Sequence, residues 1–181
     1  NVSLTDVGGS SAVTVISTGG RVYVDGSSNL GAIVVGAGAN ATKTQTHSPV
    51  TINSGTVVSI TRTDANNAQG GANASTAAGS ITVNEKGTVS NSIGTANGNV
   101  TINSGTAGVN DQIVVDQGSL TISGTGAKVG NIALANAGKT TLNVTGTGHV
   151  VGNIKLGDKA KGKDVTIGNN WPADRSNTFG E

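Results

Sequence analysis

The stretch SLTISGTGAKVGNIAL at 119–134 returns 22 residues later as TLNVTGTGHVVGNIKL at 141–156, aligned without a gap. A chain that repeats itself at a short fixed period builds units too small to bury their own apolar faces, so the units must stack. Leu120 and Ile122 match Leu142 and Val144, and the GNI of 130–132 matches that of 152–154. Looser copies keep the opening tetrad: RVYV at 21–24, PVTI at 49–52, SITV at 80–83, NVTI at 99–102 and DVTI at 164–167. Start-to-start spacings along the whole series are 28, 31, 19, 20, 22 and 23 residues.

Each tetrad carries apolar residues at its second and fourth positions, usually with Thr between them. In a strand that pattern sends the apolar pair to one face and Thr to the other. Short strands of this kind, separated by Gly, Asn and Ser turns, predict an all-β parallel β-solenoid. A second strand in each rung is expected at Ile33 to Val35, Val57 to Ile60, Ile113 to Val115, Val129 to Ile132 and Val151 to Ile154, with a looser match at Val89 and Ile93. No window shows a sustained helical period. Seven to nine rungs at about 4.8 Å each give a rod on the order of 40 Å long. The solenoid domain is expected over 1–169, with loop insertions near 36–48 and 63–78, and with 170–181 as a C-terminal cap or inter-subunit segment.

Such a coil explains an unusual composition. The chain is 34% hydrophobic, with 29 Gly, 24 Thr and 20 Asn, and its aromatic residues are Tyr23, Trp171 and Phe179 alone. A thin core of stacked Val, Ile and Leu has little room for rings. Disorder is excluded by a net charge of +1, 12% charged residues and two prolines. There is no Cys, hence no disulfide framework and no thiolate chemistry. There is no Met, even at position 1. The expectation is export, a removed signal segment, and an extracellular or bacterial cell-surface location. No apolar run approaches the roughly 20 residues of a transmembrane helix.

Motifs that suggest chemistry fail on context. ALANAGKT at 133–140 resembles a phosphate-cradling loop with Gly138, Lys139 and Thr140, but that loop requires a following helix, and Thr140 leads into a strand. Gly124, Gly126 and Gly130 recur at the repeat period as Gly146, Gly148 and Gly152, which marks turn geometry and close backbone stacking rather than dinucleotide binding. His47 and His149 lie 102 residues apart, with no triad or metal spacing around either. Asp111 and Asp116 flank one strand at an odd separation, which in a regular strand points them apart. Asp25, Asn84, Asn110 and Asp111 match no calcium nonapeptide. The basic cluster Lys155, Lys159, Lys161 and Lys163 is diluted by Asp158 and Asp164. No catalytic residue, cofactor, metal or nucleic-acid partner is therefore expected, and the chain is read as a non-enzyme.

Two candidate surfaces remain. One is an outward column of Thr14, Thr51, Thr82, Thr101, Thr121 and Thr166, interrupted by Tyr23 and Asn143, which could bind ice or glycans through a hydroxyl ladder. The other is an assembly edge. Alternation begins at once with Val2 and Leu4, then Val13 and Val15, without an amphipathic cap, while Trp171 and Phe179 mark the opposite end. Strand pairing across such ends would join copies head to tail.

The recurring xVTI, NSGT and SGTG phrases at 49–56, 99–106 and 119–126 resemble the passengers of bacterial autotransporter and filamentous-haemagglutinin-type adhesins. That resemblance implies export, a right-handed parallel β-helix, and roles in adhesion, aggregation or biofilm matrix. The expected function is thus a structural or adhesive solenoid, a fibre subunit or adhesin segment whose partner is itself or another surface protein or glycan. The alternatives are a β-helical polysaccharide-active enzyme and an ice- or glycan-binding solenoid.

Overall fold

The structure, a computed structural model, describes residues 1–17, 21–37, 49–62, 80–95, 98–115, 118–134, 140–145, 147, 149–150, 152–156, 166–167 and 179–180. Among these residues all regular structure is β-strand: β1 (Val2–Thr5), β2 (Val13–Ser17), β3 (Val22–Asp25), β4 (Asn29–Ala37), β5 (Val50–Arg62), β6 (Ile81–Val89), β7 (Ile93–Thr95) and β8 (Val100–Asn103). The series continues with β9 (Thr106–Val115), β10 (Gly118–Ser123), β11 (Lys128–Leu134), β12 (Thr140–Val144), β13 (His149–Val150), β14 (Ile154–Leu156), β15 (Thr166–Ile167) and β16 (Phe179–Gly180). They form one sheet. Its pairings are parallel and consistent with a β-solenoid.

Three files of register partners run through the sheet. In the first, Leu4, Val24, Ile52, Val83, Ile102, Ile122, Val144 and Ile167 stand side by side. Leu120 pairs with Val100 on one side and Leu142 on the other. The register offsets therefore reproduce every tetrad spacing in the sequence, and Val2 opposite Val22 adds a layer that the tetrad series had not included. The second file is Leu30, Val57, Val89, Ala107, Val129 and Val150. The third is Val13, Ile33, Ile60, Ile93, Ile113, Ile132, Ile154 and Phe179. The core is this stack, with Ile52, Val57, Ile60, Ile102 and Leu120 all fully buried.

Of the expected second strands, Ile33 to Val35 and Ile113 to Val115 lie within β4 and β9, Val57 to Ile60 and Val129 to Ile132 lie within β5 and β11 but bend, and Val151 lies outside the described residues. Val57 and Ile60 are three residues apart, so a regular strand would send them to opposite faces. Both are buried, and each belongs to a different file, so the chain bends between them and turns both inward. The same happens between Leu30 and Ile33 and between Val129 and Ile132. A register break between Val129 and Asn131 marks the bend.

The repeated glycines serve the corners. Gly124 has φ of 81°, open to glycine at no steric cost. Gly130 has no such requirement; there a Cβ would overlap the Gly108 carbonyl of the neighbouring layer. Gly36 and Ala37, expected to open the first insertion, continue β4 opposite Ile16 and Ser17. The rest of that insertion, the insertion at 63–78, and all of 170–181 except Phe179 and Gly180 lie outside the described residues.

One core member was not legible in the sequence. Arg62 is 1% exposed and takes its place in the row Val35, Arg62, Thr95, Val115, Leu134. A guanidinium in an aliphatic row is a charge that burial disfavours unless it is hydrogen-bonded, and Arg62 and Thr95 both have polar interactions.

Stacking makes stability sensitive to each layer. Leu120→Ala is expected to destabilise the chain by about 2–5 kcal/mol, because a side chain enclosed by layers on both sides leaves a cavity. Glu85→Ala, at an exposed position, is expected to stay within about 0.5 kcal/mol. Urea unfolding of the two variants checks the contrast.

Candidate functional site

The tetrad threonines come together as a column. Ser3, Tyr23, Thr51, Thr82, Thr101, Thr121, Asn143 and Thr166 are consecutive register partners along the first file. Thr51, Thr82, Thr101 and Thr121 are half-buried and lie between the inward aliphatic residues of their strands. Thr14 is not in this column. It sits on β2, exposed, opposite Val34 in the third file. The sequence interval from Thr14 to Tyr23 is too short for a full turn, and Ser3 fills the position instead.

A second hydroxyl column was missed. Thr56, Thr88 and Thr106 are register partners, flanked by Asn29 at one end and Lys128 at the other. The available signal was the Gly-Thr pair at 55–56, 87–88 and 105–106, each just before a residue of the second file. It turns the chain around a corner, so these threonines belong to a different face from Thr51 and its partners.

Directly after the tetrads lies a ladder of side-chain amides. Asn53 Nδ2 donates to Asp25 Oδ1 at 2.9 Å, Asn84 Nδ2 to Asn53 Oδ1 at 2.8 Å, and Asn103 Nδ2 to Asn84 Oδ1 at 3.4 Å. Every donor points the same way along the stack, and the run ends on a carboxylate, the stronger acceptor. This accounts for Asp25 and Asn84. Of the other oxygen-bearing candidates, Asn110 Nδ2 donates to Asn91 Oδ1 at 3.5 Å, and the Asp111 carbonyl accepts from Asn131 Nδ2 at 3.1 Å. Asp116 lies outside the described residues. Among the described residues no group of three or more His, Cys, Asp or Glu could hold a metal ion.

Polar side chains elsewhere are also occupied by neighbouring layers. Asp6 Oδ1 accepts the Ser27 N–H at 2.7 Å. Ser28, 2% exposed, accepts the Val7 N–H of the neighbouring layer through Oγ at 3.2 Å and donates to the Asp25 carbonyl of its own turn at 2.7 Å. Asn99 Oδ1 accepts the Ser119 N–H at 3.1 Å, and Asn131 Oδ1 accepts the Asn153 N–H at 2.9 Å. The chemistry on offer is rung-to-rung hydrogen bonding. It fixes spacing and register.

The first layer is different in kind. Among the described residues β1 pairs with β3 alone and β2 with β4 alone. Val2 is 54% exposed, and Leu4 and Val13 are half-buried, whereas their register partners Val22, Val24 and Ile33 are buried. Val15 belongs to the same edge strand, opposite Val35. At the opposite end Phe179 opens β16, opposite Ile154. Trp171, His47, Lys159, Lys161, Lys163, Gly138 and Lys139 lie outside the described residues; His149 pairs with Lys128 on β11. No described helix is long and apolar enough to cross a membrane.

No family model, curated protein or solved structure matches the chain.

The ladder should be measurable. Asn84→Ala removes a donor to Asn53 and an acceptor for Asn103, and at roughly 0.5–1.5 kcal/mol per hydrogen bond the expected loss is about 1–3 kcal/mol. Thermal unfolding followed by circular dichroism, with Glu85→Ala as the exposed comparison, checks it.

Proposed function

We propose that this chain is a structural and adhesive β-solenoid of the bacterial surface, a right-handed coil of seven to nine rungs acting as an adhesin segment or fibre subunit. The observation that carries this reading is the use made of the polar side chains. Asp6, Asp25, Ser28, Asn53, Asn84, Asn99, Asn103 and Asn131 each bond to a neighbouring layer. Side chains tied to the layer next door stiffen a rod and set its pitch. A rod of this kind transmits load through many backbone hydrogen bonds at once, which suits a protein whose work is mechanical. The resemblance of its phrases to adhesin passengers supports the same reading.

Display of the chain on the surface of a non-adherent bacterium tests it. Increased cell–cell aggregation or attachment to coated surfaces is expected, compared with display of an unrelated domain. Unchanged attachment, together with release of reducing sugars from a polysaccharide panel, would instead support the enzyme reading.

One observation favours a second reading. Thr51, Thr82, Thr101 and Thr121 stand in unbroken register, the kind of evenly spaced hydroxyl row that a regular ligand such as ice or an extended glycan would meet. Under this reading Thr101→Leu with Thr121→Leu abolishes thermal hysteresis or a glycan-array signal present in the parent chain. Absence of either signal in the parent chain rules the reading out.

A further inference from the structure

We infer that the projecting corner at 108–112 is the part of this chain that grips its target, and that the target is a protein with an apolar socket beside a positive charge. The inference rests on the adhesive reading above and names its contact surface and the kind of partner. The corner lies in the interior of the stack, between the layers of Val89 and Val129. Its length sets it apart. Two residues separate the second and third files at Leu30 to Ile33, Val57 to Ile60 and Val129 to Ile132, and three at Val89 to Ile93, whereas five separate Ala107 from Ile113. The surplus bulges outward, and Val109, Asn110, Asp111 and Gln112 are all exposed.

The backbone of this projection is tied on both sides. The Asn110 N–H donates to the Ser90 carbonyl at 3.1 Å and Asn110 Nδ2 to Asn91 Oδ1 at 3.5 Å, while Asn131 Nδ2 of the following layer donates to the Asp111 carbonyl at 3.1 Å. Gly108 makes the turn with φ of 67°, and Gly130 leaves room for the Gly108 carbonyl. A segment fixed in this way loses little further freedom on binding. Its side chains, by contrast, are left over. Among the described residues the Asp111 carboxylate and the Gln112 amide have no hydrogen-bond partner, whereas the carboxylates of Asp6 and Asp25 each accept from an adjoining layer. Val109 is 46% exposed. Its Cα lies within about 7 Å of that of Asp111. The flanking corners, Ser90 to Ser92 and Gly130 with Asn131, carry no charge to offset the carboxylate.

A projecting aliphatic group next to an uncompensated carboxylate fits a concave site with an apolar socket and a Lys or Arg at its rim. A sugar chain is the poorer match, since its rings pack on flat aromatic faces and this corner has no aromatic residue. A few anchors carry most of the energy of a protein contact, so a short rigid projection can hold one.

The test displays the full chain on a non-adherent bacterium and measures attachment to epithelial cell monolayers that are untreated, stripped with trypsin or oxidised with periodate. The parent is expected to attach to untreated and periodate-treated monolayers and to lose attachment after trypsin. Val109→Ser and Asp111→Lys are each expected to lower attachment roughly tenfold, Asp111→Glu and the distant Glu85→Gln to leave it near the parent level, and all four to keep the parent's circular dichroism and melting temperature. Attachment that Val109→Ser and Asp111→Lys leave unchanged would overturn the inference while the adhesive reading stands. Attachment that survives trypsin and is lost on periodate oxidation assigns the partner to glycans and overturns it as well. No attachment by the parent removes both readings.

Discussion

Parallel pairing between segments about one turn apart in sequence is the constraint on which the rest depends. Once Leu120 is held between Val100 and Leu142, everything else in those strands is assigned a place by the two-residue period. Aliphatic groups go inward to a file that each layer extends, and threonines go outward. The narrowness of the resulting core explains why a chain with three aromatic residues and so much Gly, Thr and Asn can fold.

Most of this was legible because the tetrad is a strand with a clear inside and outside, and the distance between tetrads is the register offset. Unequal turns did not obscure it, since an insertion at a corner changes the spacing without changing which residues meet. The bend between Val57 and Ile60 was less visible. Alternation rules describe a straight strand, and here both residues are turned inward by the corner. Thr14 was misplaced for a related reason. It has the right neighbours, Val13 and Val15, but they belong to the third file, and only the pairing of β2 with β4 reveals that.

Side-chain ladders were the least legible feature. The Asn or Asp after a tetrad reads as an ordinary turn residue, and nothing in one sequence says that successive turns superimpose. Asp25, Asn53, Asn84 and Asn103 are 28, 31 and 19 residues apart, a spacing that looks irregular until the layers are stacked. Arg62 was hidden in the same way, since a charged residue at the end of an alternating run reads as the point where the chain leaves the core. Its burial follows from the file to which it belongs.

The polar surface follows from the same geometry, because stacked layers spend side-chain hydrogen bonds on one another. The most direct measurement of the stack is a distance along it. Asn29 and Lys128 are exposed and joined through Thr56, Thr88 and Thr106 by consecutive register pairs, and the absence of Cys makes selective labelling simple. Nitroxide labels at Asn29→Cys and Lys128→Cys are predicted to give a narrow distribution centred about 19 Å apart, four strand spacings of about 4.8 Å, and a broad distribution or a mean beyond about 30 Å would contradict the stacking.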